Sequence, residues 1–298
     1  MCGRPVCSAP HRRELVTYLS DQNSSPTLLA GATDIGLWIT KQGRQLATLL
    51  YLGQISSLKT VHRREDELEI GAAVSLQQAE PELTRLSPDL GLLLRRFGAR
   101  QVRSQGTLGG NIANGSPIGD LPPALVALGA TLRIGCANGQ REIPLEDYFV
   151  DYGQQDLADN EYVASVVLPA HPQPHFRCWK IAKRFDQDIS AVLGAFCLTL
   201  VDDVVHNARF CFGGMAATPR RAYHCEAAVE GRRLDEDTLA EAQNALQQDF
   251  DPIVDLRASA CYRRTVAANL LDKYFLFLNV TDVPSVYEFS SPQVFNHV

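Results

Sequence analysis

The sequence predicts an α+β protein in two parts, and three observations carry that prediction. The first half alternates short apolar strand-like runs with helical patterns, residues 176–213 read as three consecutive strands, and residues 220–276 read as three consecutive helices. At 298 residues the chain can bury a sizeable core, and its length favours two domains. A hydrophobic content of 45% with 21% charged residues is that of an ordinary globular protein.

Taken in order, residues 11–20 place Leu15, Val16 and Leu19 at helical spacing. Residues 27–30 form a buried strand, Asp34 is an acidic N-cap for an apolar helix through Trp38, and residues 46–52 form a second buried strand. Residues 61–71 read as a hairpin turning on the charged run 63–66. Ser75 caps a helix that Pro81 is expected to break, and residues 90–97 pack as a further helix. A long glycine-rich loop follows. Asp120-Leu-Pro-Pro then opens a helix over residues 124–128, with its prolines in the first turn, where no intrahelical N–H is missed.

Residues 130–136 and 141–143 pair about Asn138-Gly139, a strong hairpin signal. Residues 161–168 add a closing strand, and the prolines between 169 and 174 punctuate a boundary. Residues 176–182, 191–201 and 204–213 then read as antiparallel strands, with Asp202-Asp203 in the turn between the last two. Helices are expected over 220–230, 235–248 and 259–276.

Two glycine segments stand out. Between Phe97 and Pro123 fall Gly106, Gly109, Gly110, Gly115 and Gly119, with Thr107, Asn111, Asn114 and Ser116 among them. Glycine costs conformational entropy, so such a cluster serves either turns or the close approach of a ligand to the backbone. Exposed N–H groups and small side chains make a concavity suited to phosphate. The second segment, residues 28–36, contains Ala30-Gly-Ala-Thr-Asp34. Neither is a Walker loop or a G-x-G-x-x-G fingerprint. Two phosphate-compatible loops far apart in sequence point to one ligand gripped between them.

Other classes are disfavoured. A net charge of −6 and a pI near 5.7 argue against nucleic acid or an anionic membrane surface as partner. No apolar run approaches the ~20 residues of a membrane helix, and the N-terminus has no signal-peptide core, so the cytoplasm is expected. Cys2 and Cys7 have the first spacing of a plant-type iron–sulfur motif, but Pro10 stands where the next ligand belongs. The other six cysteines are scattered singly and read as reduced thiols. The seven histidines show no paired spacing, and no metal site or nucleophile signature is expected. Chemistry must then come from a cofactor.

The segments 30–34 and 105–120 resemble the FAD domain of the molybdenum hydroxylases, and within that family are most similar to bacterial xanthine dehydrogenase small subunits. The likeness continues through Tyr148-Phe-Val-Asp-Tyr152, residues 180–190 and Cys211-Phe-Gly-Gly-Met-Ala216, and covers the chain from about Ser8 to Phe277. It implies a two-lobed α/β FAD-binding domain of the vanillyl-alcohol-oxidase type over 8–172, with lobes of about 8–56 and 57–172. A smaller antiparallel-sheet-plus-helices domain over 173–280 and a tail over 281–298 would follow.

The resemblance implies that the FAD pyrophosphate and ribityl chain lie on Leu29, Ala30, Gly31, Ala32, Thr33, Asp34 and Ile35, and on Thr107, Gly110, Asn111 and Asn114. Leu28, Val102, Gly106, Ala113, Gly119 and Tyr162 complete the cofactor set. Asp120 matches an acid at the adenosine portion, Phe97 an aromatic residue on the flavin ring, and Val163 and Lys180 ring-edge positions. Arg184, Asp186 and Asp188 match a loop at the isoalloxazine, and Tyr152 a tyrosine on the nicotinamide side. Bacterial relatives usually carry glycine where this chain has Ala32, and the Gly153-Gln-Gln155 that follows Tyr152 departs from their usual Arg-Lys-Thr.

The implied role is electron transfer in a xanthine dehydrogenase-like enzyme. [2Fe–2S] clusters and molybdopterin would sit on partner domains or chains, and NAD+ or oxygen would be the acceptor. Flavoprotein subunits for carbon monoxide, nicotinate or aldehyde hydroxylases, and a non-catalytic FAD module, are the alternatives.

Overall fold

The structure is a computed structural model that describes residues 6–8, 11–21 and 26–279. Cys2, His297 and the expected tail over 281–298 lie outside the described residues. The N-terminal lobe contains β1 (Val6–Ser8), α1 (Arg12–Ser20), β2 (Thr27–Leu29), α2 (Ile35–Thr40) and β3 (Leu49–Tyr51). Its strands form a parallel sheet in the order β1-β3-β2. Leu15 and Leu19 of α1 pack with Leu50, Leu52, Ile55 and Leu58 in a small core of their own.

A short 3₁₀ turn (Ser56–Lys59) leads to β4 (Val61–Arg63) and β5 (Glu67–Gly71), the expected hairpin. The helices α3 (Leu76–Leu86) and α4 (Pro88–Arg95) follow. Ser75 and Gln78 make a reciprocal capping box at the start of α3. The break expected at Pro81 does not occur, and α3 runs through it. Pro81 is exposed, and the carbonyl it deprives of a donor is that of Gln77, also exposed, so water can serve it.

The glycine stretch is not one long loop. It contains α5 (Arg100–Gln105) and α6 (Leu108–Ala113) before α7 (Leu121–Ala127). Then come β6 (Thr131–Cys136), β7 (Gly139–Pro144), α8 (Leu145–Tyr148), β8 (Phe149–Asp151), β9 (Gln154–Gln155) and β10 (Tyr162–Pro169). β10 is the centre of a five-stranded sheet, order β4-β5-β10-β6-β7. Tyr162 and Ala164 face the N-terminal lobe's core, whereas Val163 and Val166 face the helices; the register shift between Val163 and Ser165 breaks strict alternation and lets both valines share that core.

The remainder is β11 (Arg177–Ile181), β12 (Val192–Val201), β13 (Val204–Gly213) and β14 (Arg220–Arg221), an antiparallel sheet in that order. The helices α9 (Tyr223–Val229), α10 (Glu236–Asp249) and α11 (Ala260–Asn279) follow. Asp202 and Asp203, at φ 52° and 63°, make the β12–β13 turn with the paired left-handed residues that suit a two-residue hairpin. One face of this sheet, with Val192, Phe196, Phe210 and Phe212, packs on α9, α10 and α11. The other face, with Phe176, Cys178, Leu193, Ala195 and Cys211, joins the core of the five-stranded sheet through α4 and α7.

That second contact also has a polar frame. Arg209 on β13 donates to Val126 O at 2.8 Å and pairs with Glu146 of α8. Glu146 also binds Arg221 at 2.9 Å, and Arg221 binds Glu226 at 2.7 Å. Desolvation raises the Glu226 carboxyl above its ordinary range. No helix among the described residues is long and apolar enough to cross a membrane.

Candidate cofactor site

The two glycine segments meet. A side chain on Gly31 would place its Cβ 2.2 Å from Gln105 O and 2.8 Å from Gly106 Cα, so glycine is what lets the two backbones touch. Loop one leaves β2 at Leu28 and Leu29, both half-buried, and crosses Ala30 and Gly31 to Asp34. Among the described residues the N–H groups of Ala32, Thr33, Asp34 and Ile35 have no acceptor in the protein. Four consecutive free donors beside a second glycine loop form a cradle for an anionic ligand. Asp34 occupies the N-cap position of α2 but makes no capping hydrogen bond, contrary to the expectation, and partial desolvation raises its carboxyl.

Ala32 takes φ 61°, the left-handed region that favours glycine. Ala32→Gly is therefore expected to stabilise the chain by up to about 1 kcal/mol, once glycine's greater unfolded-state freedom is set against the relieved strain. A rise in the denaturant midpoint checks this, and a fall would show the strain to be absent.

Loop two is fixed by backbone bonds. Leu76 N–H donates to Gly106 O at 2.9 Å, Leu108 N–H to Val74 O at 3.0 Å, and Gly109 N–H to Ala72 O at 3.0 Å. Thr107 caps α6, its Oγ1 accepting from Gly110 N–H at 3.1 Å. Gly110, Ala113 and Asn114 are exposed, while Asn111 is half-buried with its Oδ1 buried and unpartnered. A buried acceptor with no partner is costly, so this amide awaits a donor from a ligand or water. Val102 packs beneath Gly98, and Arg103 ties down Phe97 O and Gly98 O at 3.0 Å each. Phe97 itself lies half-buried at the edge of the main core. Gly115, at φ 60°, lies against the Gln155 amide, which joins the β8–β9 hairpin to the end of this loop.

Asp120 and Lys180, expected at different parts of one ligand, are instead each other's partner. The Lys180 ammonium binds Asp120 Oδ2, and Ser190 Oγ donates to Asp120 Oδ1 at 2.6 Å. The two side chains are 6% and 2% exposed. Asp120 stands at the N-cap position of α7 yet accepts no N–H of that helix, because its carboxylate is taken by Lys180 and Ser190. Gly119 is half-buried beside Pro122.

The other expected site residues separate. Asp188 closes the 183–189 turn, accepting from Arg184 N–H at 2.8 Å and Ile189 N–H at 3.0 Å. The Arg184 backbone and guanidinium pull its carboxyl down to about 2. Asp188 is thus committed to its own turn, whereas Arg184 and Asp186 are exposed. Arg96, which the motifs did not single out, ties this loop to α4 by donating to Lys180 O at 2.8 Å and Phe185 O at 3.0 Å. Tyr152 is 73% exposed on the β8–β9 hairpin. Tyr162 is fully buried, with its ring against Gly135 in the N-terminal core, so it packs between lobes and is not open to a ligand there. Val163 is likewise in the core.

Among the described residues no group of three His, Cys, Asp or Glu side chains is placed to hold a metal ion. Burial pushes the thiols of Cys178, Cys211 and Cys225 well up, and that of Cys197 to about 11, so these are inert core groups.

Fold and site together define a two-lobed α+β protein with a cradle of free N–H groups at the junction of two glycine loops. The family described as the FAD binding domain in molybdopterin dehydrogenase matches residues 6–171, and the chain belongs to that family. The carbon monoxide dehydrogenase flavoprotein C-terminal domain matches residues 177–278. The chain is 30% identical over 291 residues to a nicotinate hydroxylase of Emericella nidulans, covering 90% of this chain and 22% of that protein. It is 29% identical to xanthine dehydrogenase 1 of Arabidopsis thaliana, covering 97% and 22%. The chain thus spans about a fifth of the length of these relatives. A putative xanthine dehydrogenase FAD-binding subunit of Escherichia coli is 28% identical, over 84% of this chain and 87% of that one.

Two solved structures share the fold. Carbon monoxide dehydrogenase from Hydrogenophaga pseudoflava matches with a TM-score of 0.85 at 24% identity, over 92% of this chain and 96% of that one. Quinoline 2-oxidoreductase from Pseudomonas putida matches at 0.82 and 23%, again over 92% and 96%.

Proposed function

We propose that the chain is the FAD-binding electron-transfer component of a xanthine dehydrogenase-like molybdenum hydroxylase, working in the cytoplasm. It would receive electrons from [2Fe–2S] clusters on a partner domain or subunit, while purine hydroxylation takes place at molybdopterin on a large subunit. It would deliver them to NAD+ or oxygen. The observation that carries the reading is the contact of the two glycine loops at Gly31, with four free N–H groups on loop one and the unpartnered Asn111 Oδ1 on loop two. When bound, FAD supplies the two-electron acceptor that no side chain of this protein can provide.

In this reading Ala32, Thr33, Asp34 and Ile35 present N–H groups to the pyrophosphate. Asn111 receives a ribityl hydroxyl, and Thr107 keeps Gly110 in place at the open side of α6. Arg184 and Asp186, exposed on the 183–189 turn, set the charge met by an approaching nicotinamide. Asp188 holds the turn's shape.

The chain loaded with FAD is expected to be reduced anaerobically by NADH and to pass electrons to an artificial dye. Stopped-flow absorbance distinguishes the outcomes. Reduction by dithionite with none by NADH would remove the nicotinamide reading, and a chain that retains no FAD would remove the whole. Replacing Asp186 by alanine should alter the NADH reduction rate about tenfold, equal to about 1.4 kcal/mol in the barrier, with FAD affinity unchanged.

A further inference from the structure

We infer that Ser190 and Arg263 are positioning residues for the cofactor site, acting on it through residues 117–120; this rests on the FAD reading above. Neither touches the glycine cradle. Both belong to the part of the chain that follows the five-stranded sheet, and the segment they hold is the exit of glycine loop two.

That segment is gripped at two points. Gly214 N–H donates to Pro117 O at 2.8 Å, and Ser190 Oγ donates to the Asp120 carboxylate at 2.6 Å, opposite the Lys180 ammonium. Each grip comes from a different loop, one between β11 and β12 and the other after β13. A single guanidinium joins them. Arg263 of α11 is fully buried; its Nη1 binds Ala191 O, next to Ser190, and Gly214 O at 2.8 Å, while Nη2 binds Asp255 at 2.7 Å. Gly214 takes φ 79°, and a side chain there would strike Ala191 O and the Arg263 guanidinium, so the two arms are packed against each other.

Asp255 is in turn locked. Against the opposing effect of desolvation, Ala258 N–H, Arg257 N–H and Arg263 hold its carboxyl down at about 2. The clamp thus runs from the C-terminal helix to the glycine loop through fixed hydrogen bonds. Two grips on four residues set where Gly115 and Gly119 sit relative to loop one. Held loops bind without a further ordering cost.

The test uses the full chain. Ser190→Ala deletes one oxygen, and Arg263→Lys keeps the cation but cannot reach three acceptors. FAD affinity is measured by titration, and amide exchange is measured in the FAD-free protein. Both variants should weaken FAD binding about tenfold, as the loss of one charge-assisted hydrogen bond predicts. They should also speed exchange at Gly115 and Gly119 while leaving β3 unchanged. If Arg263→Lys does not fold, Ser190→Ala still decides. Unchanged affinity, or unchanged exchange at those amides with only a lower melting temperature, would reduce both residues to core supports and overturn the inference. A wild-type chain that takes up no FAD would instead sink the FAD reading, and the exchange data would then still show whether the clamp holds the loop.

Discussion

Gly31→Ala is expected to empty the chain of FAD. The new Cβ would lie 2.2 Å from Gln105 O, and the atom it meets is backbone, which cannot rotate aside. Neither loop can retreat cheaply. Loop one is anchored by β2, with Thr27 N–H on Thr48 O at 2.9 Å and Leu52 N–H on Leu29 O at 2.8 Å. Loop two is anchored by its bonds to Ala72, Val74 and Leu76. The loops must part, and on the proposed reading the free donors of residues 32–35 would then no longer share FAD with Asn111. Affinity should fall on the order of 100-fold, about 2.8 kcal/mol. Flavin absorbance per chain after desalting reads this directly, with circular dichroism confirming that the sheets persist. A folded variant that keeps its flavin would mean that the loop contact has no part in binding.

The second large effect concerns Asp120. Its removal as Asp120→Ala strands the Lys180 ammonium, 2% exposed, in a pocket built for a pair. Breaking a buried ion pair from one side costs about 3–5 kcal/mol. In a protein of this size that lowers the melting temperature on the order of 10 °C. Adding Lys180→Met should recover most of the loss, since an apolar pair removes the stranded charge. A single variant that melts within about a degree of the parent would show that water reaches the ammonium, and would contradict the burial described above.

The legibility of these features differed by physical cause. The glycine segments were legible as places of turns or close approach, and at Gly31 the close approach is that of the Gln105–Gly106 backbone. The hairpins turning at 63–66 and 202–203 were legible from their polar turn residues. The helix α6 was not, because glycines that permit close packing also lower helix propensity, and packing of Leu108, Gly109 and Ile112 against the core overrides it; α5 was not, because its six residues bury none of their side chains and so show no apolar period. Pro81 misled for the reverse reason: the Gln77 carbonyl it deprives of a donor lies on the exposed face, where the loss is small. Asp120 and Asp34 were read as caps from their position before apolar runs. Position says nothing of the tertiary partner that claims the first or of the glycine turn in which the second makes no cap hydrogen bond. Arg263 carried no local signal at all, since the carbonyls it serves lie 72 and 49 residues earlier. Ser190 stood inside a motif read for its charges, and its neutral hydroxyl drew no notice.

The sheet β11–β14 lies between two sets of helices, so the family matches ending at residue 171 and starting at residue 177 divide the sequence but not the solvent boundary. A cut between them would lay bare Leu93, Leu94, Leu121 and Leu125 on one side, and Leu193, Ala195 and Cys211 on the other. Neither half has anything else to cover those faces among the described residues. For this chain, then, the portable piece is the whole of both matches. A rearrangement that carried the flavin cradle to a new protein without its C-terminal sheet would deliver an adhesive surface rather than a cofactor domain.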